Sequence, residues 1–168
     1  MIDEILNRVP NGDVYSVQYE AGVDQNTSKG VEDLNDYINE QSTKCPNQTF
    51  ILMGYSQGAT VVIESINGND FDKYFDDVKK VILFGNPYRN IGQNSNVNND
   101  TKGILTLIDG EKNINHKWDD SNKVKDYCVE NDCICNIACQ GNRGGHLTYK
   151  NNDEIRSLVI NEIVNVMQ

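Results

Sequence analysis

Basic residues are scarce in this chain. Lysine and arginine number 15 against 25 aspartates and glutamates, which gives a formal net charge of −10 at pH 7 and a pI near 4.5. No basic stripe is available to neutralise phosphates, so the composition argues against a nucleic-acid binder. The same sign disfavours docking on an anionic membrane. No apolar run reaches the roughly 18 residues of a membrane-spanning helix. Met1-Ile2-Asp3-Glu4 has neither the basic lead nor the apolar stretch of a secretory leader. The glycine-rich run Gly141-Asn142-Arg143-Gly144-Gly145 lacks the lysine and Ser/Thr of a phosphate-binding P-loop. The acidic run Asp70, Asp72, Asp76 and Asp77 lacks the glycine and glutamate spacing of a calcium loop and reads as a solvated turn. Histidine is rarest of the catalytic residue types, with His116 and His146 only.

What is present suits one globular domain. A chain of 168 residues buries about 70% of its unfolded surface. Mean hydropathy is low, −0.59, and asparagine, 24 residues, accounts for much of it. Asparagine favours turns, and the cluster Asn94 to Asn99 reads as loop. Of five cysteines, four fall between Cys128 and Cys139, a density that suits an oxidising compartment outside the cell. Four cysteines allow three pairings, and spacing alone does not choose among them. Zinc is the weaker reading, because structural zinc sites favour two C-x₂₋₄-C pairs set apart by a longer spacer. Cys45 is left over. Asn26, Asn47 and Asn99 each open an N-x-S/T triplet that a eukaryotic secretory pathway could glycosylate.

Apolar spacing gives the elements. Ile2, Ile5, Leu6 and Val9 repeat as a helix does, and Pro10-Asn11-Gly12 stops them. Val14 to Tyr19 reads as a short strand. Ser28 is a candidate cap for a helix with Val31, Leu34, Tyr37 and Ile38 as its stripe. Phe50 to Met53 is continuously apolar, as a parallel strand covered on both faces should be. Ala59 to Ile66 is an apolar helix, and Val78 to Phe84 a second buried strand. Asn90 to Lys102 and Asp109 to Asn122 read as loops, Ile104 to Ile108 and Val124 to Cys128 as short strands. A last helix runs from about Asn152 to Met167, with Ile155, Leu158, Val159, Glu162 and Val166 on one side. The alternation predicts an α/β layer fold with a parallel sheet.

The sharpest chemical signal is Gly54-Tyr55-Ser56-Gln57-Gly58, a G-x-S-x-G pentapeptide between a buried strand and an apolar helix. That context is the strand–turn–helix of a nucleophile elbow, which exposes the serine. Gly54 and Gly58 lack side chains where strand and helix crowd each other. The backbone N–H of Gln57 lies at the positive end of the helix, where it could stabilise an oxyanion. A serine hydroxyl needs a base to take its proton. His146, in a loop just ahead of the last helix, can reach over the C-terminal edge of the sheet, whereas His116 sits in a polar stretch without framing structure. The acid should fall between Ser56 and His146. Asp132, inside the cysteine cluster, is the first choice; Asp109 and Glu130 are its rivals.

Cys45-Pro46 followed by Phe50-Ile51-Leu52-Met53-Gly54-Tyr55-Ser56-Gln57-Gly58-Ala59 resembles the cutinase family of serine esterases. Further likenesses follow in order: Val17-Gln18-Tyr19-Glu20-Ala21, Phe84-Gly85-Asn86-Pro87-Tyr88-Arg89, Cys128-Val129-Glu130-Asn131-Asp132-Cys133-Ile134-Cys135, and Gly145-His146-Leu147-Thr148-Tyr149. The resemblance implies a three-layer α/β/α hydrolase-type fold with a small, mostly parallel central sheet. It implies Ser56, Asp132 and His146 as the triad, Gln57 as an oxyanion donor, and a Cys128–Cys135 disulfide around the acid. Cys133 and Cys139, additional to the family pattern, can then pair with each other, with Cys45 unpaired. Asn131 stands where the family has a glycine, and asparagine is the next best residue for a left-handed turn.

The family's pattern opens with an interior strand whose end carries a second oxyanion donor, and this chain starts after it. We therefore expect a sheet missing one interior strand, with either a gap or a shifted pairing between Val14–Tyr19 and Phe50–Met53. Reduced activity and association through an exposed edge would follow, and an incomplete gene model or fragment is one explanation. The implied function is carboxylic-ester hydrolysis through an acyl-enzyme, on short-chain or acetylated polysaccharide esters, toward which the Asn86-Pro87 turn and a polar rim at Asn90 to Asn99 lean. Alternatives are a cutin or lipid esterase and a catalytically weak or inactive binding module. No cofactor or metal is implied; the protein is expected to be a secreted monomer acting on small-molecule or polymer esters.

Overall fold

Two apolar layers enclose one sheet. The computed structural model describes residues 1–140 and 143–167. The helices are α1 (Ile2–Arg8), α2 (Ser28–Lys44), α3 (Gln57–Ile66), the short α4 (His116–Asp119) and α5 (Asp153–Met167). The strands are β1 (Phe50–Tyr55), β2 (Val78–Phe84), β3 (Asn96–Val97) and β4 (Val124–Tyr127), in the order β1-β2-β4-β3. All three pairings are parallel, with Leu52 opposite Val81 and Leu83 opposite Asp126. No described helix is long and apolar enough to cross a membrane.

Because side chains alternate across a strand, β1, β2 and β4 each supply both cores. Phe50 and Leu52 of β1 with Val81 and Leu83 of β2 pack under α2 and α3, against Leu34, Ile38, Val61 and Ile63. Ile51 and Met53, with Ile82, Phe84 and Tyr127, face α1 and α5, against Ile5, Val9, Ile155, Val159 and Ile163. The fold is the expected three-layer α/β/α arrangement.

Several elements differ from their sequence readings. On α5 the buried stripe is Ile155, Val159, Ile160, Ile163 and Val164, so Leu158 and Val166 are exposed. Glu162 flanks that stripe and pairs with Lys80, 3.5 Å away. Thr27, not Ser28, is the residue before α2. Asn90 to Lys102 is not all loop. Arg89, fully buried, takes the carbonyls of Val97 (3.0 Å) and Asn99 (2.6 Å) and pairs with Asp126 at 2.9 Å. That grip lays Asn96–Val97 against β4. Ile104–Leu107 is a 3₁₀ turn, not a strand. The N–H groups of Gly103 and Leu105 are taken by Arg89 and Pro87 at 2.8 and 3.0 Å, which ties the segment to the turn after β2 rather than to a ladder. Residues 109–122 contain α4, capped by the Asn115 side chain.

Val14 to Tyr19 forms no strand. Between it and β1, the edge strand of the sheet, lies a groove of about 1100 Å³ whose walls include Leu6, Val14, Val17, Ile51 and Met53.

Candidate active site

The elbow is built by a close approach. A side chain on Gly54 would come within 2.5 Å of the Gly58 carbonyl oxygen and 2.7 Å of the Ala59 backbone, so the turn closes only over glycine. Gly58 itself is roomy, with nothing nearer such a carbon than the Tyr19 hydroxyl at 3.9 Å; its expected crowding is confined to its carbonyl. Ser56 sits at φ 56°, ψ −122°, a conformation that costs a non-glycine residue about 1–3 kcal/mol. The flanking structure holds it there: its N–H extends the sheet ladder to the Phe84 carbonyl at 2.9 Å, and α3 begins at Gln57. Within the first turn of a helix the backbone N–H groups have no intrahelical acceptor. The Gln57 N–H is therefore available beside Ser56. The Gln57 side chain turns away, donating to the Gly22 carbonyl at 3.0 Å.

His146 lies in a 3₁₀ segment, Arg143–Leu147, ahead of α5. Its Nε2 is 2.9 Å from Ser56 Oγ, and its Nδ1 is 2.9 Å from Asp132 Oδ2. An ionised carboxylate only accepts, so Nδ1 carries the proton and Nε2 presents its lone pair to the serine. Asp132 is completely buried. Its Oδ1 accepts from the Ile134 N–H at 2.9 Å, and its Oδ2 also accepts from the Tyr149 hydroxyl at 2.6 Å. The alternatives are elsewhere. Asp109 accepts from the Tyr88 hydroxyl at 2.6 Å, Glu130 is exposed, and the His116 side chain is fully exposed beside Asp120 at 3.8 Å.

The cysteines frame the acid. Cys128–Cys135 and Cys133–Cys139 are disulfides, with Cα separations of 5.8 and 5.3 Å, and Cys45 is free and exposed. Gly141 and Asn142 of the glycine-rich run lie outside the described residues.

The cutinase family model matches residues 2–163. This chain belongs to the cutinase family. It is 40% identical to carboxylesterase Culp1 of Mycobacterium tuberculosis over 141 residues, 81% of this chain and 57% of that protein. It is 29% identical to a cutinase of Kineococcus radiotolerans over 147 residues, 82% of this chain and 44% of that protein. The chain thus spans about half the length of these curated relatives. A cutinase-like protein from Cryptococcus sp. superposes with a TM-score of 0.86 at 27% identity, covering 99% of this chain and 83% of that one. The catalytic core of acetyl xylan esterase from Trichoderma reesei shares the fold, with a TM-score of 0.64 at 23% identity over 83% of this chain and 70% of that one.

Within this cutinase-family site the electrostatics favour a charged acid and a neutral phenol. Burial pushes the Asp132 carboxyl up, but hydrogen bonds from His146, Tyr149 and the Ile134 N–H outweigh it and hold the group below its ordinary value. Burial first, and then the bond to Asp132, drive the Tyr149 phenol far above its ordinary value. Burial and the Asp132 charge likewise raise Tyr55.

Three residues of the site escape motif reading. Gly85, at φ 59°, follows β2, and a side chain there would meet His146 Cε1 at 2.7 Å and Asp132 Oδ2 at 2.8 Å. Tyr55 stacks on the His146 ring, centroids 4.9 Å apart, and donates to the His146 carbonyl at 2.7 Å. Tyr149 stood in the sequence only as the last letter of a histidine motif. The one available signal was a tyrosine three residues after the base. Asn86 is the reverse case. It is buried, donates to Asp126 at 2.8 Å and accepts from the Tyr88 N–H at 2.9 Å, so it braces the Arg89–Asp126 pair and does not face substrate. The polar run Asn90 to Asn99 likewise serves the β3 edge.

Proposed function

We propose that the protein is a carboxylic-ester hydrolase that works through an acyl-enzyme on Ser56. The observation that carries this reading is the unbroken relay from Ser56 Oγ through His146 to Asp132, with both links at 2.9 Å. His146 Nε2 takes the serine proton as Oγ attacks the ester carbonyl. The Gln57 N–H stabilises the resulting oxyanion. His146 then gives its proton to the departing alkoxide, leaving the acyl group on Ser56. Water, deprotonated by the same nitrogen, releases the acid and restores the serine. Asp132 keeps the imidazole in the required tautomer and stabilises its charged form.

Short acyl esters and acetylated polysaccharides are the proposed substrates. Exposed apolar side chains adjoin the site at Tyr55, next to Ser56, at Leu147, next to His146, and at Val23, next to the Gly22 whose carbonyl accepts from Gln57. These suit a short acyl chain. The same exposure, 71% for Leu147, favours a second reading, a longer acyl chain from lipid or cutin. Two disulfides suit an oxidising compartment, and we place the working protein outside the cell. Rates on p-nitrophenyl acetate, butyrate and palmitate, with Ser56→Ala alongside, test the proposal. A Ser56-dependent burst with acetate or butyrate preferred is expected. A palmitate preference supports the second reading, and equal activity in Ser56→Ala overturns the mechanism.

A further inference from the structure

We propose that Tyr149 is a positioning residue for the acid of this site. Its hydroxyl, held between the Val129 N–H and Asp132 Oδ2, fixes the orientation of the carboxylate and sets how strongly that carboxylate stabilises a protonated His146. The inference deepens the triad reading above and rests on it.

The direction of each hydrogen bond follows from chemistry. The Val129 N–H can only donate, so Tyr149 Oη accepts there, at 3.2 Å. Its single proton is left for Asp132, at 2.6 Å, and an ionised carboxylate can only accept. The phenol cannot ionise in the working range, because burial and the neighbouring carboxylate both oppose it. Tyr149 therefore donates to Asp132 at every relevant pH.

The oxygen it chooses matters. Oδ2 is the same atom that faces His146 Nδ1, at 2.9 Å, while Oδ1 is occupied by the Ile134 N–H at 2.9 Å. Tyr149 adds a second hydrogen bond to Oδ2, so three donors hold the carboxylate against rotation. The charge on Oδ2 is also shared between phenol and imidazole. Without the hydroxyl, that oxygen would interact with the imidazole alone, and protonated His146 would be stabilised more.

The ring is well anchored for this task. Tyr149 is buried, with its centroid 5.6 Å from Phe84 and 6.0 Å from Tyr55, which itself stacks on His146. Among the described residues, the ionisable groups facing the Asp132–His146 pair are Tyr149 and Tyr55, and Asp126 acts on Tyr149 from β4. Among these, only Tyr149 bonds the carboxylate. A purely structural role is the competing account, since the hydroxyl also satisfies the Val129 N–H of the disulfide-bonded loop. The two accounts differ in what they do to a titration.

Tyr149→Phe keeps the ring and deletes the hydroxyl. The pH dependence of kcat/KM on p-nitrophenyl butyrate, and an NMR titration of the His146 imidazole, should both shift their acid midpoint upward by about 0.5–1 unit. The plateau kcat should fall about 3–30-fold, with KM unchanged because the buried phenol does not touch substrate. Site-specific 3-fluorotyrosine at position 149, a stronger donor that retains every contact, should move the NMR midpoint downward. It also serves if the phenylalanine variant does not fold. An unmoved midpoint in both variants, with rates lowered equally at all pH values, would overturn the proposal. The NMR titration needs no turnover. If Ser56→Ala shows that hydrolysis does not depend on Ser56, the esterase reading fails while the Tyr149 coupling is still measured.

Discussion

The two flanks of Ser56 are built to different standards. On the flank toward β4, the acid and base are held from every direction. Asp132 has hydrogen bonds to both oxygens, two disulfides cross its loop, and Gly85 leaves room for nothing but the His146–Asp132 contact. On the flank toward β1, the sheet simply ends. The outer edge of β1 faces the groove, Val14 to Tyr19 has no ladder partner, and Gln57 Oε1 is buried without a hydrogen-bond partner among the described residues. The difference separates two requirements of an esterase. Proton transfer needs an oriented base, and His146 is oriented by its 2.9 Å contacts to Asp132 and Ser56. Oxyanion stabilisation needs donors aimed at one point, and the Gln57 N–H is the donor proposed here.

The largest effect should come from disturbing the tight flank at its narrowest point. Gly85→Ala introduces a carbon that cannot coexist with the present His146 and Asp132 positions, at a backbone angle that disfavours alanine. We expect kcat/KM to fall about 10²–10³-fold, checked by steady-state kinetics beside a melting curve. A folded protein with unchanged rates would show the clearance at Gly85 to be irrelevant.

Removing the Cys128–Cys135 bridge as a paired serine variant should be milder. The closed loop is short, so the chain-entropy loss corresponds to about 2–3 kcal/mol of stability. Equilibrium urea unfolding measures it, and an unchanged midpoint would show that the hydrogen bonds to Asp132 hold the loop unaided.

The open flank should respond least in activity and most in association. Unpaired strand edges recruit other strands, so sedimentation should show concentration-dependent self-association. Val17→Lys, which places a charge on the groove wall, should weaken it about tenfold, about 1.4 kcal/mol, with ester turnover nearly unaffected. A monodisperse parent at every concentration would mean that the groove is closed in solution.

The same contrast explains what the sequence made legible. The elbow is local: Gly54 to Gly58 carry their geometry within five residues, so the turn that presents Ser56 could be read directly. The contacts of His146 with Ser56 and Asp132 could be anticipated because chain order and a cysteine frame narrow the choice. Tyr149 and Gly85 were not legible as parts of the site. Their roles are contacts between segments tens of residues apart, and no spacing encodes a missing Cβ against an imidazole. Val14 to Tyr19 and Ile104 to Ile108 failed for a related reason. An apolar run states a willingness to form a strand, but a ladder needs a partner. The groove withholds one from the first, and the Arg89–Pro87 turn captures the second. Asn96–Val97, too short and polar to be noticed, became a strand because a buried arginine collected its carbonyls.

The central claim is that Ser56 is a nucleophile activated by His146. A p-nitrophenyl alkylphosphonate tests it most directly, because phosphonylation requires the activated serine but no deacylation and no second oxyanion donor at full strength. The account predicts stoichiometric release of p-nitrophenol, one phosphonyl adduct that peptide mapping places on Ser56, and no adduct in His146→Ala. Ester hydrolysis that continues in a protein without a Ser56 adduct, or an equally fast adduct in His146→Ala, would contradict it.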